Sequence, residues 1–322
     1  MALDLDIWTA EFLSEELGGR PDLAVATLRQ AIDIYTREKL QKILDGTGCD
    51  RWANIPFTTK EQLRANGQLG NGDNSALQLS EADLQHELDF YTGGLKLVVD
   101  ETDNVLNLLP SEDGGAGTFF ADAATRIGAK TTAYGEAFTQ TQSGGREEAE
   151  QILQLIRDEG VTCVIASPTH MVALARAAAR QAEAGADEIY LRSVLLSGGL
   201  APNKTVMMLE ETFQAMIFEF SDVADVGLGF AVSCGYGKGS HIRETDIFIE
   251  LINPVTGEVV RTESPKTPGF SNYGEIVFTT LNRDSAPLVR YRTGYYSRWI
   301  FGECPCGSWL KRLDKIYPPE EK

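Results

Sequence analysis

EEAEQILQLIRDEGVTCVIASPTHMVALARAAARQ, residues 147–181, carries the pattern that decides the fold. Between Glu147 and Asp158 the apolar residues Ala149, Ile152, Leu153 and Ile156 fall on one helical face, with charged residues on the other. Val161 to Ala166 is a short, mainly apolar run of the kind found in a strand covered on both faces. Pro168 then opens a second helix, which continues through the Ala-rich segment to Gln181.

The same alternation extends in both directions. Upstream, Val105 to Leu109 reads as a strand ending at Pro110, Phe119 to Ile127 as a helix and Lys130 to Tyr134 as a strand. Downstream, Leu191 to Leu196 is a further strand. Strands that alternate with helices of ten or more residues imply parallel crossovers, so the expected class is α/β. Residues 1 to about 50 read as helical, Asn66 to Ser75 as a Gly- and Asn-rich loop, and Ser80 as the cap of a helix running through Leu84 and Leu88. After about residue 216 the character changes. Ile247 to Ile252, Glu275 to Thr280, Leu288 to Tyr291 and Ser297 to Ile300 read as strands separated by turns such as Asn253-Pro254-Val255-Thr256-Gly257, with no helix between them. The expected organisation is a helical segment over 1–54, an α/β core over 55–225, a small antiparallel β subdomain over 226–316 and a tail over 317–322.

Composition narrows the function. Of 322 residues, 47 are acidic and 29 basic, a formal net charge of -18. Without a basic stripe, neither nucleic acid nor an anionic membrane surface is an expected partner. No apolar run approaches the length of a membrane span, and the acidic N-terminus is unlike a secretory signal, so the expected location is cytoplasmic. Five cysteines in such a chain argue against a disulfide framework.

Four residues suggest a metal centre. Cys234 and His241 are separated by six residues in one Gly-rich loop, and Cys304 and Cys306 lie in a second turn after Trp299 and Ile300. Three thiols and one imidazole match the tetrahedral donor set of structural zinc, and soft sulfur disfavours magnesium and calcium. The alternative is that the cysteines serve only as small hydrophobes. Gly, Pro, Ser and Glu around them make poor core surroundings, which favours zinc.

Several segments carry a resemblance. Ile55-Pro-Phe-Thr-Thr-Lys60-Glu-Gln-Leu63, Ala166-Ser-Pro-Thr-His-Met-Val-Ala-Leu-Ala175 and Leu195-Leu-Ser-Gly-Gly-Leu-Ala-Pro202 are similar to segments of phenylacetate–CoA ligases, in the adenylate-forming superfamily. Glu250-Leu-Ile-Asn-Pro-Val-Thr-Gly257, Gly274-Glu-Ile-Val-Phe-Thr-Thr-Leu281 and Pro287-Leu-Val-Arg-Tyr-Arg-Thr-Gly294 resemble that family's motifs most closely, in order and at matching spacing. The resemblance covers roughly residues 55 to 316. It implies the large N-terminal domain of an adenylate-forming enzyme, with mixed and parallel sheets, helices and the small antiparallel subdomain. It places a nucleotide site near Gly198, Gly199, Asp225 and Arg292. Family members also carry Cys and His at the four metal positions, some of them with zinc. Arg290 and Arg292 share one strand face, bordering the nucleotide in relatives or forming structural ion pairs. His170 lies near the expected acyl pocket, as a ligand contact or as a capping and packing residue.

The departures from the family pattern shape the expected function. Relatives cradle ATP phosphates in a Ser/Thr/Gly-rich loop, whereas Asn66 to Ser80 holds no Thr and one loop serine, Ser75. Asp225 stands where the family has a magnesium-holding Glu, and Tyr295 where it has a ribose-binding Asp. The chain ends at Lys322, near the hinge to the small domain that carries the catalytic lysine in relatives, so that domain is expected to be absent. These departures put ATP, AMP and magnesium in doubt and name no catalytic residue. The expectation is a diverged acid–CoA ligase-like pseudoenzyme without autonomous adenylation, which keeps a pocket for a small carboxylic or aromatic acid. The alternatives are a half-enzyme completed by a partner domain and a regulatory or structural partner of a true ligase. A homodimer or a partner protein is compatible with each.

Overall fold

The alternation read from residues 147–181 is present in the computed structural model, which describes residues 4–17, 28–69, 79–111, 115–134, 145–223, 226–260 and 273–317. The chain forms two units. One contains Met1–Asp83, Val223–Ala231 and Tyr236–Lys322, and the other contains Leu84–Asp222 and Val232–Gly235.

The first unit begins with α1 (Asp4–Leu17) and α2 (Leu28–Thr47). Trp8 stacks on Phe12, and Phe12 meets Tyr35 of α2 edge to face. Next comes α3 (Lys60–Ala65), whose start is fixed by a capping box. Thr59 accepts the Gln62 amide and the Gln62 side chain accepts the Thr59 amide, which satisfies two donors that a helix start leaves open. α4 (Glu81–Leu95) follows, with the Ser80 hydroxyl accepting the Asp83 amide at 3.1 Å as the sequence predicts.

The second unit continues with β1 (Asn104–Asn107), α5 (Ala116–Ile127), β2 (Lys130–Ala133) and α6 (Arg146–Glu159). β3 (Cys163–Ala166), α7 (Pro168–Glu183), β4 (Ser193–Leu196), α8 (Asn203–Phe213) and β5 (Met216–Val223) complete it. The strands lie in the order β5-β4-β3-β1-β2, with all four neighbouring pairs parallel. Ile152, Leu153 and Ile156 of α6 bury their face in one cluster with Val164, Leu174, Leu196 and Leu209. Gly160 ends α6 at φ 62°, a left-handed conformation that costs a residue without Cβ little. Around Phe220, the rings of Phe90, Tyr91 and Phe120 form a second apolar group with centroids 4.5–5.3 Å away.

The remaining strands are β6 (Leu228–Ser233), whose last two residues belong to the second unit, and, in the first unit, β7 (Ser240–Ile242), β8 (Ile247–Ile252), β9 (Gly274–Thr280), β10 (Tyr291–Ser297), β11 (Trp299–Ile300) and β12 (Arg312–Leu313). β8, β9 and β10 make an antiparallel sheet, and β7, β12 and β11 an antiparallel ribbon. The expected strand at Leu288 instead begins at Tyr291, because Arg290 takes a left-handed φ of 49° that interrupts extended backbone. The small antiparallel sheet is therefore as expected. Its core, around Phe230, Ile249, Phe278, Leu288 and Tyr291, also includes Leu63 of α3. No described helix is long and apolar enough to cross a membrane.

One buried carboxylate fastens the ends of three strands in the second unit. Asp103, before β1, accepts from the Thr162 hydroxyl at 2.6 Å, from the Asp100 amide at 2.7 Å and from Arg192 Nε at 2.9 Å, with a further bond from Arg192 Nη2. Asp103→Ala leaves these donors without their acceptor, so the variant should lose ~2–4 kcal/mol of stability in urea denaturation. A loss below ~1 kcal/mol would show that the cluster contributes no more than an exposed pair.

Candidate functional site

The four residues singled out as metal ligands come together. Sγ of Cys234, Cys304 and Cys306 and a ring nitrogen of His241 all lie within 4.8 Å of one another. Ligands on one tetrahedral zinc stand roughly 3.5–3.8 Å apart, so small rotations would close the set on an ion. The arrangement follows from local structure. Cys234 is the residue after β6, His241 is central in β7, and Cys304 and Cys306 sit in the connection between β11 and β12, whose Arg312 lies opposite His241. Two glycines make room for the turns. A Cβ at Gly237 would stand 2.8 Å from Cys304 Sγ, and one at Gly239 would stand 2.2 Å from the Leu313 carbonyl oxygen.

The surroundings prepare these side chains for coordination. His241 Nδ1 lies 3.2 Å from the Leu310 carbonyl, so that nitrogen carries the proton and Nε2, 3.3 Å from Cys306 Sγ, is the nitrogen that could accept a metal. Burial, reinforced by nearby Arg312, brings the His241 pKa down to about 4, so the ring is neutral at physiological pH. The Ser308 amide donates to Cys306 Sγ at 3.4 Å, as backbone amides do around thiolate ligands. Cys234, His241 and Cys304 are buried, and Cys306 is half-buried. The structure thus holds a Cys3His cluster capable of binding a metal.

The residues read as a nucleotide face are arranged differently. Arg292 is paired with Glu275, whose carboxylate also accepts from Gly294; the guanidinium further donates to the Pro254 carbonyl at 3.1 Å. The hydrogen bond to Glu275 holds the Arg292 pKa above its ordinary value. Arg290 is buried against Glu250, with contacts at 3.0 and 3.2 Å. Both guanidinium groups lie over the Phe57 ring, although Arg290, with its left-handed φ, precedes the strand and does not share a strand face with Arg292. Tyr295 packs on the core of the first unit. Gly198 and Gly199 follow β4, Gly198 with a left-handed φ of 75°. Asp225 and most of the expected phosphate-loop interval, residues 70–78, lie outside the described residues. The Ser167 hydroxyl caps α7 by accepting the His170 amide at 3.2 Å, and burial holds the His170 pKa below its ordinary value.

Sequence reasoning missed a second anchor of the last motif. Asp83 accepts from the amides of Asp284 and Ser285 at 2.9 and 3.0 Å, and from the Ser285 hydroxyl. The only sequence signal was Asp83 in the first turn of a capped helix. Its partners lie some 200 residues away.

The fold, with its parallel sheet and helices and its separate antiparallel sheet, is similar to that of solved acid–CoA ligases. Over 91% of this chain and 68% of the other, the fold matches 2-hydroxyisobutyryl-CoA ligase solved with 2-HIB-AMP and CoA, at a TM-score of 0.67 and 17% identity. It also matches a long-chain-fatty-acid-CoA ligase from Archaeoglobus fulgidus over 78% of this chain and 51% of the other, at 0.51 and 11%. In sequence the chain is similar to phenylacetate-coenzyme A ligases. It is 31% identical to that of Pseudomonas putida over 178 residues, which are 54% of this chain and 37% of the relative. It is 26% identical to that of Escherichia coli strain K12 over 283 residues, or 81% and 60%. The matches thus span about two fifths to three fifths of these relatives' length. No family model matches the chain.

The Asp83 anchor sets a pH dependence. Burial alone would raise the Asp83 pKa, but bonds from Ser285, Asp284 and Ser80 outweigh it and bring it to about 2. A depressed carboxyl contributes stability that is complete above its unfolded pKa of about 4 and is lost as pH falls through its folded value. Asp83→Asn should therefore cost ~1–3 kcal/mol at neutral pH and flatten the stability profile below about pH 4. Denaturant unfolding across that range measures both, and parallel wild-type and variant profiles would exclude the anchor.

Proposed function

We propose that the chain is a diverged acid–CoA ligase homologue that binds a small carboxylic or aromatic acid, carries a structural zinc and does not adenylate acids by itself. Adenylation joins a carboxylate to the α-phosphate of ATP with loss of pyrophosphate. The chain must then hold the nucleotide while charge develops on the reacting phosphate, and loss of a single preorganised contact can cost roughly 10²–10³ in rate. The observation that carries the reading is the state of the last motif. Tyr295, where the resembled family has a ribose-binding carboxylate, is packed on the core, and the Arg292 guanidinium is taken by Glu275. The Asn66–Ser80 interval, with no Thr, adds to this.

Zinc is the metal that best suits the cluster. Three thiolates and a neutral imidazole are soft and borderline donors, and four protein ligands leave no position open for a substrate. Its role is therefore to fasten the β7–β12–β11 ribbon. The relatives' names suggest which acids to test, phenylacetate and 2-hydroxyisobutyrate.

Two measurements test the reading. Calorimetry with these acids should give saturable binding, while ATP–pyrophosphate exchange with the same acids should stay at background; acid-dependent exchange by the isolated chain would overturn the proposal. Metal analysis should find one zinc per chain, and Cys304→Ser should lose most of it along with thermal stability, because a ligand that binds only the folded state stabilises it by mass action. Full zinc content in Cys304→Ser would remove the centre.

A further inference from the structure

A concavity lies within the second unit. A trough of about 480 Å³ is bordered by Arg146, Arg176 and Arg180, with Ala173, Leu200 and Thr205 among its lining residues. Ala173, Arg176 and Arg180 are spaced three and four apart, so they form one stripe along α7. Arg146 begins α6, and Thr205 lies in the first turn of α8. Pro168 at the start of α7 and Pro202 just before α8 also border the trough, so the positive ends of both helices face it.

The charge there runs against that of the molecule. The chain carries a formal net charge of -18, yet three guanidinium groups surround one concavity. Arg146 is paired with Glu150 at 2.9 Å, one turn along α6. Among the described residues, neither Arg176 nor Arg180 has a carboxylate within ion-pair distance. Like charges kept together without counter-ions are unfavourable unless something anionic joins them. The small Ala173 side chain leaves volume between these groups, and Leu200 provides an apolar wall.

We propose that this trough binds a phosphorylated small molecule, with the phosphate among Arg146, Arg176 and Arg180 and an apolar body against Ala173 and Leu200. Guanidinium forks match phosphate oxygens in pairs, and a dianion uses several forks where a monocarboxylate is served by one. The inference does not rest on the ligase reading.

Calorimetric titration of the full chain with inorganic pyrophosphate at low ionic strength tests it. The wild type should bind at one saturable site. Arg176→Glu with Arg180→Glu should weaken binding by about tenfold or more, the scale of lost charge-assisted bonds. Arg176→Lys with Arg180→Lys, which keeps charge but loses the forks, should fall between. Arg37→Glu, at an exposed position of α2, should bind like the wild type. All four arginines are exposed, so thermal melts should be unchanged. Absence of saturable binding, or a charge-reversed variant binding within about twofold of wild type, overturns the site. Binding of a polyglutamate peptide but not of pyrophosphate also overturns it, in favour of an acidic protein segment. Acid-dependent pyrophosphate exchange would sink the ligase reading without moving any of these outcomes.

Discussion

Arg290 is buried with Glu250, and much of the first unit is arranged around that pair. The guanidinium meets both carboxylate oxygens, donates to the Ile55 carbonyl at 2.7 Å and lies 4.1 Å from the centre of the Phe57 ring. The Trp52 indole donates to the same carboxylate at 3.1 Å. A buried charge left alone costs several kcal/mol, so these partners are mutually required. The pair brings the Ile55–Leu63 motif to the Pro287–Gly294 motif, and Thr58 extends the join by donating its amide to the Arg290 carbonyl and accepting from the Arg292 amide. Glu275 with Arg292 repeats the arrangement one strand over. Three sequence motifs that resemble those of nucleotide-using enzymes are thus held to one another by two ion pairs within this chain.

The metal cluster works on a smaller scale. The β7–β12–β11 ribbon has strands of two or three residues, too short to be stable on backbone hydrogen bonds alone. An ion held by His241 of β7, by Cys304 and Cys306 between β11 and β12, and by Cys234 after β6 would supply the missing constraint. The steric limits at Gly237 and Gly239 show how tightly the two turns approach.

The α/β alternation, the antiparallel sheet and the metal cluster were legible in the sequence because each is written locally. Periodicity marks α6 and β3, and Cys and His stand out by their chemistry. What was not legible depends on pairings across long stretches of chain. In sequence Asp103 is one acidic loop residue among many, and only the fold brings Thr162 and Arg192 to it. The left-handed turn at Arg290 is invisible in a run that reads as strand, because a tertiary ion pair sets that backbone. Arg176 and Arg180 lie one turn apart in an Ala-rich helix, and the neighbours that make them border a trough come from two other helices.

The first unit is assembled from both ends of the sequence, whereas residues 84–222 of the second lie in one stretch. During synthesis that stretch has nearly all its partners as soon as it leaves the ribosome. Leu63 and Phe57, by contrast, must wait more than two hundred residues for Phe278 and Arg290. Contacts of such long sequence separation form slowly, and an unpaired apolar segment is prone to aggregate meanwhile. The Pro-Phe-Thr-Thr-Lys stretch is therefore among the segments of the nascent chain that wait longest for their partners.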